Sequence, residues 1–275
     1  MSAPTALRIL KRTVQVLAMA FLAPVALAVA WYFAASDGPV DWRTARSDST
    51  GQAPSAENTP DAVIQVYAAR AFRWRGAFGV HTWVATKHTG ADHYVRYEVM
   101  GFGLRQGGGA VRIHPSIPDA YWYGKRPQLL RDLRGGTEVD DLIDRIDALA
   151  RSYPYDDRYR LWPGPNSNTF VAYLARALPE LALDLPPTAI GKDFLPGGAW
   201  LAAAPSGRGY QLSLGGLLGL IAAPEEGVEL NLLGLAIGLD FSPPALKLPG
   251  LGRIGPSPDP FATGVSTRSG SLFGS

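Results

Sequence analysis

The chain has no cysteine and only four histidines, His81, His88, His93 and His114, among 275 residues. The first absence excludes disulfides, thiolate metal sites and a cysteine nucleophile, and it leaves the redox compartment open. The second means that a zinc site would need most of the histidines to converge, and their spacing carries no metal motif. Charge is scarce as well. Charged residues are 18% of the chain, and Lys plus Arg (26) barely exceed Asp plus Glu (24). So small an excess supplies no basic surface for nucleic acid. What the chain has in quantity is apolar residues, 47%, with 31 glycines and 23 prolines. That mixture can build a core and favours strands and loops over a helical bundle, in one generous domain or two small ones.

The charge-poor character is strongest at the N-terminus. Residues 1–12 carry Arg8, Lys11 and Arg12 without an acid, and residues 13–36 carry no charge. About 20 helical residues cross the hydrocarbon core of a bilayer. Trp31, Tyr32 and Phe33 stand at the outer end of this run like an aromatic belt, and the flanking charges orient the N-terminus inward. The expectation is a cytoplasmic segment over residues 1–12 and a single transmembrane helix over 13–36. That makes an inner (cytoplasmic) membrane protein whose main domain is periplasmic or extracellular. The alternative is a cleaved signal peptide, with Ala28-Val29-Ala30 or Phe33-Ala34-Ala35 as cleavage sequences. Such peptides carry apolar runs of only about 7–15 residues.

Residues 37–60, rich in Ser, Asp, Thr, Pro and Gly, read as a linker. Strands are expected at 62–69, 80–85 and 94–100, the last two joined by a turn around Thr89-Gly90, and shorter strands at 110–114 and 120–123. Thr137–Ser152 is the clearest helix. Thr137 is placed to cap it, acids fill its first turn, and Val139, Leu142, Ile143, Ile146 and Leu149 form one stripe. Leu161-Trp162-Pro163-Gly164-Pro165-Asn166-Ser167-Asn168 is a rigid turn that opens a second helix over about 168–178. Residues 191–255 are glycine-rich and almost uncharged. The run 212–223 is too short to span a bilayer, and the pieces 210–222 and 227–241, divided by a turn at Pro224-Glu225-Glu226-Gly227, are expected to form a buried hairpin. Residues 256–275, rich in Ser, Gly and Pro, are expected to be disordered.

Chemistry has few places to sit. Ser167, delivered by the rigid turn to a helix start, is a candidate nucleophile if a base reaches it and helix-end N–H groups stabilise an oxyanion. Equally, Asn166, Ser167 or Asn168 is an ordinary cap for that helix. His81 is the natural base. Pairing Thr86 with His93 sets His81 opposite Glu98, which would then orient the imidazole. A one-residue slip would move the side chains to opposite faces. Arg70, Arg73, Arg75 and Arg96, interleaved with Phe72 and Trp74, form either an anion pocket or a solvated loop with cation–π packing. Gly107-Gly108-Gly109 lacks the strand and helix that a nucleotide loop needs.

The segments Val66-Tyr67-Ala68-Ala69-Arg70, Gly79-Val80-His81-Thr82-Trp83, Tyr97-Glu98-Val99, Trp162 to Phe170 and Ala189-Ile190-Gly191-Lys192-Asp193 resemble a bacterial family catalogued as domain of unknown function 3750, over most of residues 37–255. More remotely, a His on an early strand followed by a small-residue elbow opening a later helix is similar to the circularly permuted NlpC-type branch of the papain-like superfamily. Its members are cell-wall peptidases, amidases and lipid acyltransferases. That resemblance implies an α+β fold, a papain-like antiparallel sheet with two main helices over residues 61–190, extended by a β-rich segment over 191–255. It implies Ser167 as nucleophile, His81 as base and Glu98 as orienter. Asn166, Asn168, Trp83, Arg73 and Arg96 are the candidate binding residues. No cofactor or metal is implied. The family's nucleophile is Cys, so this chain is either a serine-dependent hydrolase or acyltransferase on a cell-envelope amide or ester, or a non-catalytic module that binds an envelope peptide, glycan or lipid.

Overall fold

In the computed structural model, residues 3–35 and 41–261 are described. The start of the expected linker and most of the expected disordered tail lie outside them. Helix α1 covers Ala3–Ala34, longer than the span expected from charge alone. Its segment Leu7–Ala34 is long and apolar enough to cross a membrane, a property shared by anchors and signal sequences. Among its described side chains Phe21, Pro24 and Ala28 are buried, spaced three and four apart on one stripe.

The first sheet has five antiparallel strands in the order β4-β3-β2-β1-β5. Strands β1 (Ala62–Arg70), β2 (Val80–Lys87), β3 (Val95–Val99) and β4 (Val111–Pro115) follow the β-branched and aromatic runs of the sequence. The expected strand at 120–123 is instead a loop holding two isolated bridges, Ser49 to Ala120 and Trp122 to Lys125. Strand β5 (Gln128–Gly135) was not expected. It takes the far edge of β1, where its interleaved Arg131, Asp132 and Arg134 hide the strand pattern.

Helices α2 (Thr137–Arg151) and α3 (Ser167–Ala177) pack on one face of this sheet. Ile64, Val66, Val84 and Tyr97 meet Leu142, Ile146, Phe170 and Leu174 there in a single core. Thr137 does not cap α2; Gly136 holds that position without a side-chain bond. Alternation sends Val63, Tyr67, Trp83 and Ala85 to the opposite face, where they build a second, smaller cluster with Trp122.

Residues 201–254 form a second sheet of seven antiparallel strands in which every strand pairs with its chain neighbour. They are β6 (Leu201–Ala202), β7 (Tyr210–Leu214), β8 (Leu218–Ala223), β9 (Gly227–Leu232), β10 (Leu235–Phe241), β11 (Pro244–Leu248) and β12 (Gly252–Ile254). The expected hairpin pairing is present, but its expected burial is overturned here. Leu212, Leu214, Leu218, Leu220, Leu230 and Leu232 are exposed, while Gln211, Ser213, Glu229, Asn231 and Lys247 are buried. The inward charges neutralise one another, as buried ions must. Glu229 accepts from Lys192 at 2.5 Å and from Lys247 at 2.7 Å, and Lys247 also reaches Asp184 at 2.9 Å. This network ties the second sheet to the loop after α3.

Candidate functional site

The first half of the site is a polar cluster on the sheet face away from the helices. Thr86 pairs with Val95 rather than His93, so the β2–β3 register is displaced by two residues from the expected one. A two-residue displacement keeps every side chain on its face. His81 and Glu98 therefore still meet, as diagonal neighbours, with Nε2 3.0 Å from Glu98 Oε2. Arg96 donates to the same carboxylate at 2.9 Å, and His114 Nε2 lies 3.3 Å from its other oxygen. Trp83 lies beneath the Arg96 guanidinium at 4.1 Å. Trp122 stacks face to face on His81, with centroids 3.9 Å apart and planes 9° apart.

Burial favours the neutral form of each member, and hydrogen bonding decides which ones resist. His81 is 7% exposed. Burial lowers its pKa, opposed by the hydrogen bond and charge of Glu98. Burial would raise the Glu98 carboxyl, but bonds from His114 and His81 and the charge of Arg96 outweigh it and hold it far below the usual carboxylate range. Arg96 is lowered by burial. The Glu98 bond raises His114. An ionised Glu98 only accepts, so Nε2 of a neutral His81 carries the proton and Nδ1 is the basic nitrogen. Nδ1 makes no hydrogen bond among the described residues.

The second half is the start of α3. Asn166 is the N-cap. Its Oδ1 accepts from the N–H groups of Asn168 at 2.9 Å and Thr169 at 3.1 Å, and Thr169 Oγ1 accepts from the Asn166 N–H at 3.1 Å. Asn168 Nδ2 donates to the Val80 and Ile190 carbonyls at 3.0 and 2.8 Å. The single Thr82 hydroxyl proton is shared between the Ser167 carbonyl at 3.2 Å and Asn168 Oδ1 at 3.0 Å. The following loop comes so close that a Cβ on Gly191, whose φ is +102°, would lie 2.4 Å from Asn166 Nδ2. After these bonds are made, the Ser167 N–H and hydroxyl are left without a hydrogen bond among the described residues.

The β2–β3 ladder ends at Val84 and Tyr97. Beyond it the strands part around a cleft of about 860 Å³ whose walls include His81, Val99, Asn166, Ser167 and Asn168. Most of the remaining wall is apolar, with Phe72, Phe102, Trp162 and Leu233 among it. The residues expected from the sequence thus form two clusters. His81, Glu98, Arg96 and Trp83 are in contact on one sheet face. Asn166, Ser167 and Asn168 are locked to β2 through Thr82, which points to the other face. The clusters meet as walls of one cleft, and no hydrogen bond joins Ser167 to His81 among the described residues. Arg73 lies apart, over the Phe72 ring at 4.9 Å, while Arg75 lines the cleft. The contacts of Trp122 and His114 with this cluster were not anticipated. His114 pairs with Arg96 across β3–β4, so it was within reach of a strand-pairing argument; Trp122 comes from a loop and was not. Among the described residues no group of three or more His, Cys, Asp or Glu side chains is arranged to hold a metal ion.

Residues 61–194 match the family described as "Protein of unknown function (DUF3750)", which places this part of the chain in that family. Comparison with curated proteins gives no match, and comparison with solved structures gives none either.

Proposed function

We propose that this member of the DUF3750 family is a membrane-anchored, envelope-facing hydrolase or acyltransferase that uses Ser167 on an amide or ester. The carrying observation is that Ser167, with an uncommitted hydroxyl and N–H, and His81, anchored by Glu98 at 3.0 Å, line one apolar cleft. His81 Nδ1 takes the hydroxyl proton as Ser167 Oγ bonds to the acyl carbon. The Ser167 N–H faces the developing oxyanion, and the departing amine or alcohol takes the proton back from His81. Water, or an acceptor alcohol or amine, then releases the acyl group by the same steps in reverse. Asn166 and Asn168 position the serine; Trp83, Arg96 and Trp122 fix the imidazole.

A His on the second strand and a small-residue elbow opening α3 support reading residues 61–190 as a variant of the permuted NlpC-type papain-like arrangement. Arg8, Lys11 and Arg12 before the apolar helix support an uncleaved anchor in the inner membrane, N-terminus inside, with the main domain outside. The apolar walls suit a lipid or an acylated peptide or glycan. One observation favours a second reading. Strand β2 aims Thr82 rather than His81 at α3, which suits a cleft that binds an envelope ligand without turnover. Hydrolysis of a panel of acyl esters by the full chain in detergent separates the two. The proposal expects slow release that disappears in Ser167→Ala and His81→Ala; release at the wild-type rate in Ser167→Ala sinks it.

A further inference from the structure

Monomeric soluble domains rarely leave apolar patches beyond a few hundred Å² uncovered, yet the outer face of the second sheet is apolar throughout. Its strand register stacks the exposed side chains into rows. Ile254, Leu246, Leu239 and Val228 stand side by side across β12 to β9. Leu230, Leu220 and Leu212 make the next row, and Leu235, Leu232, Leu218 and Leu214 the third. Leu214 is 63% exposed and Leu239 53%. The charges of these strands, Glu229, Asp240, Lys247 and Arg253, all sit at the alternate, inward positions, where Arg253 meets Asp240. With strands about 4.8 Å apart and rows about 7 Å apart, the face measures roughly 25 by 14 Å.

Two contacts say what covers it. The first row ends at Ile254, which shares a pocket with Ala28, Trp31 and Tyr32 of α1. The β11–β12 turn packs so tightly there that a Cβ on Gly250 would lie 2.8 Å from the Ala28 Cβ. Ala28 lies on the buried stripe of α1 with Phe21 and Pro24, so the β11–β12 turn meets α1 within its apolar segment Leu7–Ala34. At the other end, Leu235 and the adjacent Leu233 line the cleft that holds Ser167.

We propose that the outer face of the second sheet is a lipid-binding surface. It lies flat on the leaflet at the outer end of α1, with its leucine rows among acyl chains and the cleft mouth at the lipid boundary. The unpaired backbone groups of edge strands β6 and β12 forbid a deeper position in hydrocarbon, but headgroups and their water satisfy them at the interface. The surface requires nothing of Ser167, so it stands whether or not the cleft is catalytic.

The chain's lack of cysteine makes the test clean. Leu220→Cys and Leu230→Cys, with Asp144→Cys on the exposed side of α2 as reference, carry a nitrobenzoxadiazole fluorophore in full-length protein reconstituted into phosphatidylcholine–phosphatidylglycerol vesicles. The proposal predicts blue-shifted emission at positions 220 and 230, at least twofold quenching by nitroxide-labelled lipid and little by aqueous iodide, with the reverse at 144. Iodide quenching at 220 and 230 equal to that at 144 overturns it. Shielding from both quenchers also overturns it, because a second copy or another part of the chain then covers the face.

Discussion

Glu98 is the point on which the polar cluster turns, and replacing it by Gln keeps its shape while deleting its charge. The carboxylate is 3% exposed and accepts from Arg96, His81 and His114. Removing one member of a buried ion pair costs about 3–5 kcal/mol, because the other charge is left without compensation. The amide oxygen of the replacement still accepts from Arg96, which keeps its seat over Trp83, 4.1 Å from the ring centroid, so part of the compensation survives. The lower end, about 3 kcal/mol, is therefore expected for Glu98→Gln. For a folded unit of this size that lowers Tm by about 6–12 °C, measured by near-ultraviolet circular dichroism of the full chain in detergent at pH 7. Arg96→Met should recover part of the loss, so the double variant is less destabilised than the sum of the singles. A Tm drop below 2 °C in Glu98→Gln, or strict additivity, would refute the claim that Glu98 compensates a buried Arg96.

The same cluster sets the acid response. His81 is depressed below its ordinary pKa and Glu98 far below its own, so both contribute stability that is present above their unfolded values. That stability is lost as pH falls, first through the histidine range below 6.5 and then through the carboxylate range below 4.5. His114 is raised and acts in the opposite sense, its contribution fading as pH climbs past 6.5. Urea midpoints between pH 3 and 8 should show acid destabilisation, with the lower limb missing in Glu98→Gln; an unchanged lower limb contradicts it. Ser167→Ala should alter stability by less than about 0.5 kcal/mol, since the hydroxyl makes no hydrogen bond among the described residues, whereas Asn166→Ala should cost at least about 1–2 kcal/mol through the lost cap. Equal losses would mean that Ser167 is the structural residue. Gly191→Ala should cost about 1–3 kcal/mol from backbone strain, plus the clash with Asn166, and an unchanged Tm would show that the loop does not brace the cap.

Residues whose roles are set by local chemistry were readable in the sequence. The α2 stripe, the alternating strands β1 to β3 and the elbow before α3 follow from periodicity and small polar residues, and the α+β class follows from them. The His81–Glu98 contact was readable because a parity argument tolerates a register error of two, though not of one. The outward leucines of β7 to β10 were misread for a physical reason. Alternation reveals that a strand has two faces, but only the tertiary partner decides which face is inside. Here Lys192, Asp184 and the loop after α3 offer ionic partners to Glu229 and Lys247, so the polar face turns inward. Trp122 illustrates the other blind spot, because a loop residue delivered across a sheet leaves no periodic trace.

The most direct test of Ser167 as a nucleophile is covalent. The full chain in detergent is treated with a fluorophosphonate probe and the adduct is mapped by mass spectrometry. The account predicts a single modified residue, Ser167, with labelling lost in Ser167→Ala and strongly slowed in His81→Ala. Labelling that persists unchanged in Ser167→Ala, or its absence from the folded wild-type protein, would contradict it and leave the cleft as a binding site.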